Sequence, residues 1–115
     1  MAIVVTSPTV KVGFIANAVS ADITGCETIL AQTTGKRIKL KHLTINSTAA
    51  ISIWIGEGAA AGTIDNNLIG PLDFAALQTM QWDFWPLLEL TSDYLLLCDA
   101  DGAGQVCVFA QGYIQ

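Results

Sequence analysis

The stretch Gly35-Lys-Arg-Ile-Lys-Leu-Lys-His-Leu-Thr-Ile-Asn46 decides the fold. Its first half alternates, with Ile38 and Leu40 on one face and Lys39 and Lys41 on the other, as in a strand with one buried face. After Lys41 the phase slips. Leu43 and Ile45 sit at odd positions, so a strand of uniform pleat would turn them away from the face that carries Ile38 and Leu40. Two explanations stand open: a β-bulge near Lys41-His42, or a second half covered on both faces.

The same period recurs on both sides of this stretch. In residues 50–57, Ile51, Ile53 and Ile55 oppose Ser52, Trp54 and Gly56; in residues 79–85, Met80, Trp82 and Phe84 oppose Gln81, Asp83 and Trp85. Met80, Trp82 and Phe84 are expected in the core, and Pro86 is expected to end or kink that strand. Upstream, residues 9–19 alternate through Val10, Val12 and Phe14, residues 22–25 supply a turn, and residues 26–32 make a short strand. Residues 58–67 read as a long flexible connection, 68–72 as a brief edge strand broken by Pro71, and 73–77 as one helical turn. Residues 94–98 and 105–114 are expected to close a hairpin about Asp101-Gly-Ala-Gly104, which sets Cys98 opposite Cys107.

No segment sustains the spacing of a long amphipathic helix. The expectation is therefore an all-β domain over residues 1–115: an antiparallel two-sheet β-sandwich of jelly-roll type, with about seven or eight strands.

Composition bears on how such a domain lives in water. The 115 residues are 52% hydrophobic and 13% charged, where ordinary soluble domains carry about 25% charged residues. A chain this short has much surface for its volume, and that surface normally holds charge. The deficit is reconciled if part of the exterior is covered by other copies of the chain, so a homo-oligomer is expected. A net charge of −5 argues against nucleic acid as a partner, because phosphate binding needs Lys and Arg. Residues 1–8 lack the basic start and apolar run of a signal peptide, and the longest uncharged run is too short to span a bilayer. No membrane partner is expected.

Residues that carry chemistry are sparse. His42 is the single histidine, which removes His-based metal clusters, and Cys26, Cys98 and Cys107 have no metal-finger spacing. Asp99-Ala-Asp-Gly-Ala-Gly104 echoes a calcium loop but has Ala103 at the fifth position and Ala110 at the twelfth, so it reads as a turn. No catalytic, cofactor or metal residues are assigned, and the chain is not expected to be an enzyme; one would need a cleft with paired carboxylates such as Asp83 and Glu89. Four of the five basic residues, Lys36, Arg37, Lys39 and Lys41, fall in one short window. They make either a solvated strand face that discourages edge pairing or an electrostatic contact to an acidic partner. Trp54 and Trp85 lie on the less apolar faces of their strands and are candidates for an interface or for a carbohydrate platform, the alternative function.

The run Gly35 to Asn46, the Gly70-Pro-Leu72 step, the Trp85-Pro86 bend and the closing Gly104 and Gly112-Tyr-Ile114 together resemble small β-sandwich structural proteins of tailed bacteriophages, of the head-decoration or fibre type. The resemblance implies an antiparallel sandwich displayed on a virion, often trimeric, alongside other virion proteins and with no catalytic residues. Cys98, Cys107 and the segment from Trp82 to Trp85 have no counterpart in that pattern.

Overall fold

A computed structural model describes residues 12–20 and 26–115. They form β1 (Val12–Ser20), β2 (Glu27–Leu30), β3 (Ile38–Ser47), β4 (Ser52–Gly58), β5 (Asn66–Asp73), β6 (Gln78–Glu89), β7 (Leu95–Ala100) and β8 (Val106–Ile114). One sheet has the order β1-β8-β3-β6 and the other β2-β7-β4-β5, and every pairing is antiparallel. The partners nest: β1 with β8, β2 with β7, β3 with β6, β4 with β5. The chain is thus one long antiparallel ribbon, doubled back between β4 and β5 and rolled so that successive rungs alternate between sheets. This is the expected jelly roll.

The phase slip in β3 is a bulge. Against β8, Leu40 faces Gly112 and His42 faces Gln111, which leaves Lys41 as the extra residue. That residue returns Leu43 and Ile45 to the side of Ile38 and Leu40, and all four are buried. Burying four aliphatic side chains contributes roughly 6–12 kcal/mol before chain entropy is counted; a uniform pleat would forfeit about half. Ile53 and Ile55 of β4, Leu96 and Cys98 of β7, and Val108 and Ala110 of β8 complete the core between the sheets. Met80, Trp82 and Phe84 pack against it half-buried, as their alternation predicts.

The bulge presses the β3 backbone onto β8. Gly112 stands at that point, buried, and a Cβ there would run into the Lys39 carbonyl and lie 3.1 Å from the Leu40 Cα. On the other sheet, Gly56 and Gly58 lack side chains where Ile64 and the Thr63 carbonyl descend onto β4. The connection between β4 and β5 is therefore docked, where the sequence pointed to a flexible one. Asp65 N donates to the Glu57 carbonyl at 2.8 Å, and Ala59 N donates to Asp65 Oδ2 at 2.9 Å. Glu57 is a buried carboxylate whose charge is met by three donors: Thr91 N and Thr91 Oγ1, each at 2.6 Å, and Asn66 Nδ2 at 2.9 Å.

Other expectations are corrected. Strands β7 and β8 do not form a hairpin; they lie in different sheets, and residues 101–105 cross between them. Asp101 and Gln105 are instead tied to the start of β4 and to the segment before it: Asp101 Oδ1 accepts from Ser52 N at 2.8 Å, and Gln105 O accepts from Thr48 N at 3.0 Å. Cys98 consequently faces Glu27 and Ile55, Cys107 faces Val19 and Asn46, and all three cysteines are free thiols. Residues 73–77 make no helical turn. Strand β5 runs to Asp73, and Gln78 N donates to the Ala75 carbonyl at 3.3 Å in a β-turn with Leu77 at φ 60°. Pro71 lies within β5, an edge strand as expected, and Pro86 does not end β6, which continues to Glu89. Expectations for residues 9–11 and for the turn at 22–25 lie outside the described residues.

Two consequences are measurable. Gly112→Ala is expected to cost about 2–4 kcal/mol in urea unfolding, because backbone and not a pliant side chain fills the space; a cost below about 0.5 kcal/mol would contradict the close approach. Burial, and then the carboxylates of Asp99 and Glu27, push the Cys98 thiol up to about 12 from its ordinary 9.0. An acid raised on folding contributes stability that is complete below pH 9 and is lost as pH climbs from about 9 to about 12. Alkylation mapped by mass at pH 8 should accordingly spare Cys98 until the protein unfolds; its modification in the native state would refute this placement.

Candidate functional site

The bulge in β3 has a larger counterpart in β6. Leu40 faces Leu88 and His42 faces Asp83, so Lys41 alone stands opposite Phe84, Trp85, Pro86 and Leu87. Strand β6 must throw out this surplus. Phe84 turns to the core, while Trp85 projects into solvent at 93% exposure. Lys41, also exposed, has no ion-pair partner among the described residues. Lys41, Asp83, Phe84, Trp85, Leu87 and Tyr113 surround an open cleft of about 390 Å³.

The four clustered basic residues do not act as one stripe. Arg37 and Lys39 converge on Glu89, with N···O distances of 3.7 and 3.6 Å, and Lys39 Nζ also donates to Gln115 Oε1 at 3.0 Å. Such surface pairs add little stability but neutralise the local charge. Lys36 is half-buried beside this group at the mouth of a polar hollow, and Lys41 stands apart on the bulge. Strand β3 is internal to its sheet, so the notion that these lysines guard a sheet edge is overturned.

His42 follows the bulge and points along the outer face. Its Nδ1 lies 2.7 Å from Asp83 Oδ1 and its Nε2 lies 2.7 Å from Thr44 Oγ1. A carboxylate only accepts, so Nδ1 carries the proton, and in the neutral ring Nε2 accepts from the Thr44 hydroxyl. The ring meets Phe109 edge-on, with centroids 6.1 Å apart. Asp83 is thus engaged by His42 and Glu89 by Arg37 and Lys39, so the two carboxylates have separate partners and do not form a pair.

Trp54 and Trp85 are not brought together. Trp54 is half-buried on the β4 sheet, beside Ile64, Asn67 and Asp99, whereas Trp85 stands on the β6 sheet.

A second feature escaped sequence reading. Strand β1 pairs with β8 on one side, and no other strand among the described residues pairs with its far edge. Ala16 is buried, while Ile15 and Val19 are 71% and 59% exposed on the opposite face. Beside them on β8 stand Gln111, opposite Ile15, and Cys107, opposite Val19, with Phe109 opposite Asn17 between them. This outer row carries no charge. Its signal was visible in residues 12–19, where both phases of the alternation contain apolar residues.

Among the described residues, no three His, Cys, Asp or Glu side chains gather as a metal-binding group. In comparison with known proteins, no family model matches the chain, and no curated protein is similar to it in sequence.

Proposed function

We propose that this chain is a non-enzymatic structural protein that assembles with copies of itself through the β1 edge and its uncharged outer row. The observation that carries the reading is Ile15 and Val19, exposed on a strand whose far edge no described strand pairs. An open edge offers N–H and C=O groups to a neighbour, and proteins that stay monomeric blunt it with charge, Pro or a covering element. Here the outer row offers Ile15, Asn17 and Val19, with no charge among them. Two copies of a chain of net charge −5 repel one another over most of their surface, and this row is a place where they meet without that cost.

The area required is modest. A standard interface buries about 800 Å² on each partner, a small part of the 6430 Å² this chain exposes. The resemblance to small β-sandwich virion proteins supports a particle of a tailed bacteriophage as the setting and a trimer as the assembly. The jelly roll agrees with that setting but serves many unrelated functions, so the assembly rests on the edge and not on the fold.

Size-exclusion chromatography with light scattering tests this. The native chain should elute as an oligomer at micromolar concentration, and Ile15→Lys should weaken association by about 30-fold or more while leaving the circular dichroism spectrum unchanged. A native chain that is monomeric at that concentration would refute the proposal.

A further inference from the structure

The corner built by the two bulges has its aromatic platform on β6, the opposite edge of the sheet from β1, while Lys41 and Tyr113 reach from it toward Ile15 across the outer face. The cleft thus adjoins the proposed contact between copies, and the two are told apart by their carriers: Ile15 and Val19 for the contact, Trp85 for the cleft. Its chemistry is specific. Trp85 presents its indole almost wholly to water, on residues that the ladder between β3 and β6 cannot accommodate. Leaving so large an aromatic in water forgoes the burial that usually places Trp in a core. Phe84, next to it, does take the core position, so the exposure of Trp85 does not reflect a lack of apolar space nearby.

Two charged groups flank the indole in the same cleft. Lys41 has no ion-pair partner among the described residues, and its ammonium offers donors alone. Asp83 lines the cleft and spends Oδ1 on His42, and its exposed carboxylate keeps a second oxygen as an acceptor. An aromatic face beside one ionic donor and one ionic acceptor matches a pyranose ring. The axial C–H groups of the sugar lie on the indole, and its hydroxyls both accept and donate charge-assisted hydrogen bonds. A free anion would meet Asp83, and a free cation would meet Lys41; a ligand that is neutral and presents both donors and acceptors offends neither.

We propose that Lys41, Asp83 and Trp85 form a binding site for a neutral hexopyranoside unit of a glycan, with Trp85 as the stacking platform and the Tyr113 ring as a side wall. Trp54, equal to Trp85 in sequence terms, has no such place: it is half-buried, beside Ile64, and its cleft holds a carboxylate but no cation.

The test is a printed array of neutral and acidic oligosaccharides, followed by titration of the full chain with the best neutral oligosaccharide, read by tryptophan fluorescence. At least one neutral hexose series should bind and shift the emission to the blue as Trp85 loses water. Trp85→Ala should reduce affinity by at least about tenfold, and Lys41→Met should weaken it less. Trp54→Phe should leave binding unchanged. Trp85→Ala removes an exposed side chain, so its thermal unfolding should match that of the native chain, which separates lost binding from lost fold. The site is refuted if no neutral glycan binds at millimolar concentration, if acidic glycans alone bind, or if binding survives Trp85→Ala. A blue shift that rises with protein concentration in the absence of sugar would also overturn it, because Trp85 would then be covered by another copy.

Discussion

The structure depends on one extra residue in its central strand. A β-strand alternates its faces without exception, and β3 carries Ile38 and Leu40 in one phase and Leu43 and Ile45 in the other. Lys41 absorbs the difference as a bulge, and all four side chains enter one core. Because β3 lies between β8 and β6, neither neighbour can ignore the distortion. On the β8 side, the backbones close in until no side chain fits, and the sequence supplies Gly112. On the β6 side, the ladder opens, and the residues from Phe84 to Leu87 bridge the gap. A demand of the core thus creates a feature of the surface: Lys41 and Trp85 meet over the same opening because the same interruption displaced both.

The charge deficit acquires a location in the same way. Most of the described carboxylates do local work. Glu57 anchors Thr91 and Asn66, Glu89 collects Arg37 and Lys39, Asp65 and Asp101 hold turns, and Asp83 orients His42. Little ionic character remains for β1, whose outer row is apolar and uncharged while its far edge is open to pairing. The two edges of this sheet therefore differ in kind. One exposes backbone and aliphatic surface; the other exposes an aromatic platform set between a donor and an acceptor.

Much of this was legible from residues. Strict alternation in β4 and in the first part of β6 pointed to the class and to about seven or eight strands, and the broken alternation in β3 marked the site near Lys41-His42 where a bulge was one of two explanations. What stayed hidden depends on pairings between residues far apart in the chain. Tyr94 to Cys98 and Gln105 to Ile114 look like the arms of a hairpin because a Gly-rich turn joins them, but the rolled ribbon sends each to a different sheet and separates Cys98 from Cys107. The Gly-rich connection after β4 looks free, yet its glycines are clearances into which Ile64 and Thr63 pack. The lysines of β3 looked like edge guards, and no local pattern announces that β8 and β6 will flank them. Trp85 was named as a candidate from its face alone; its companions Asp83 and Tyr113 required knowledge of the register.

The most direct measurement of the central claim is equilibrium urea unfolding of Leu40→Ala and Leu43→Ala, with Lys41→Ala as the reference. If the bulge seats both halves of β3 in one core, each leucine substitution costs about 2–5 kcal/mol and the lysine substitution costs less than about 0.5 kcal/mol. A uniform pleat would leave one leucine on the outer face. A loss below about 1 kcal/mol for either leucine would contradict the account.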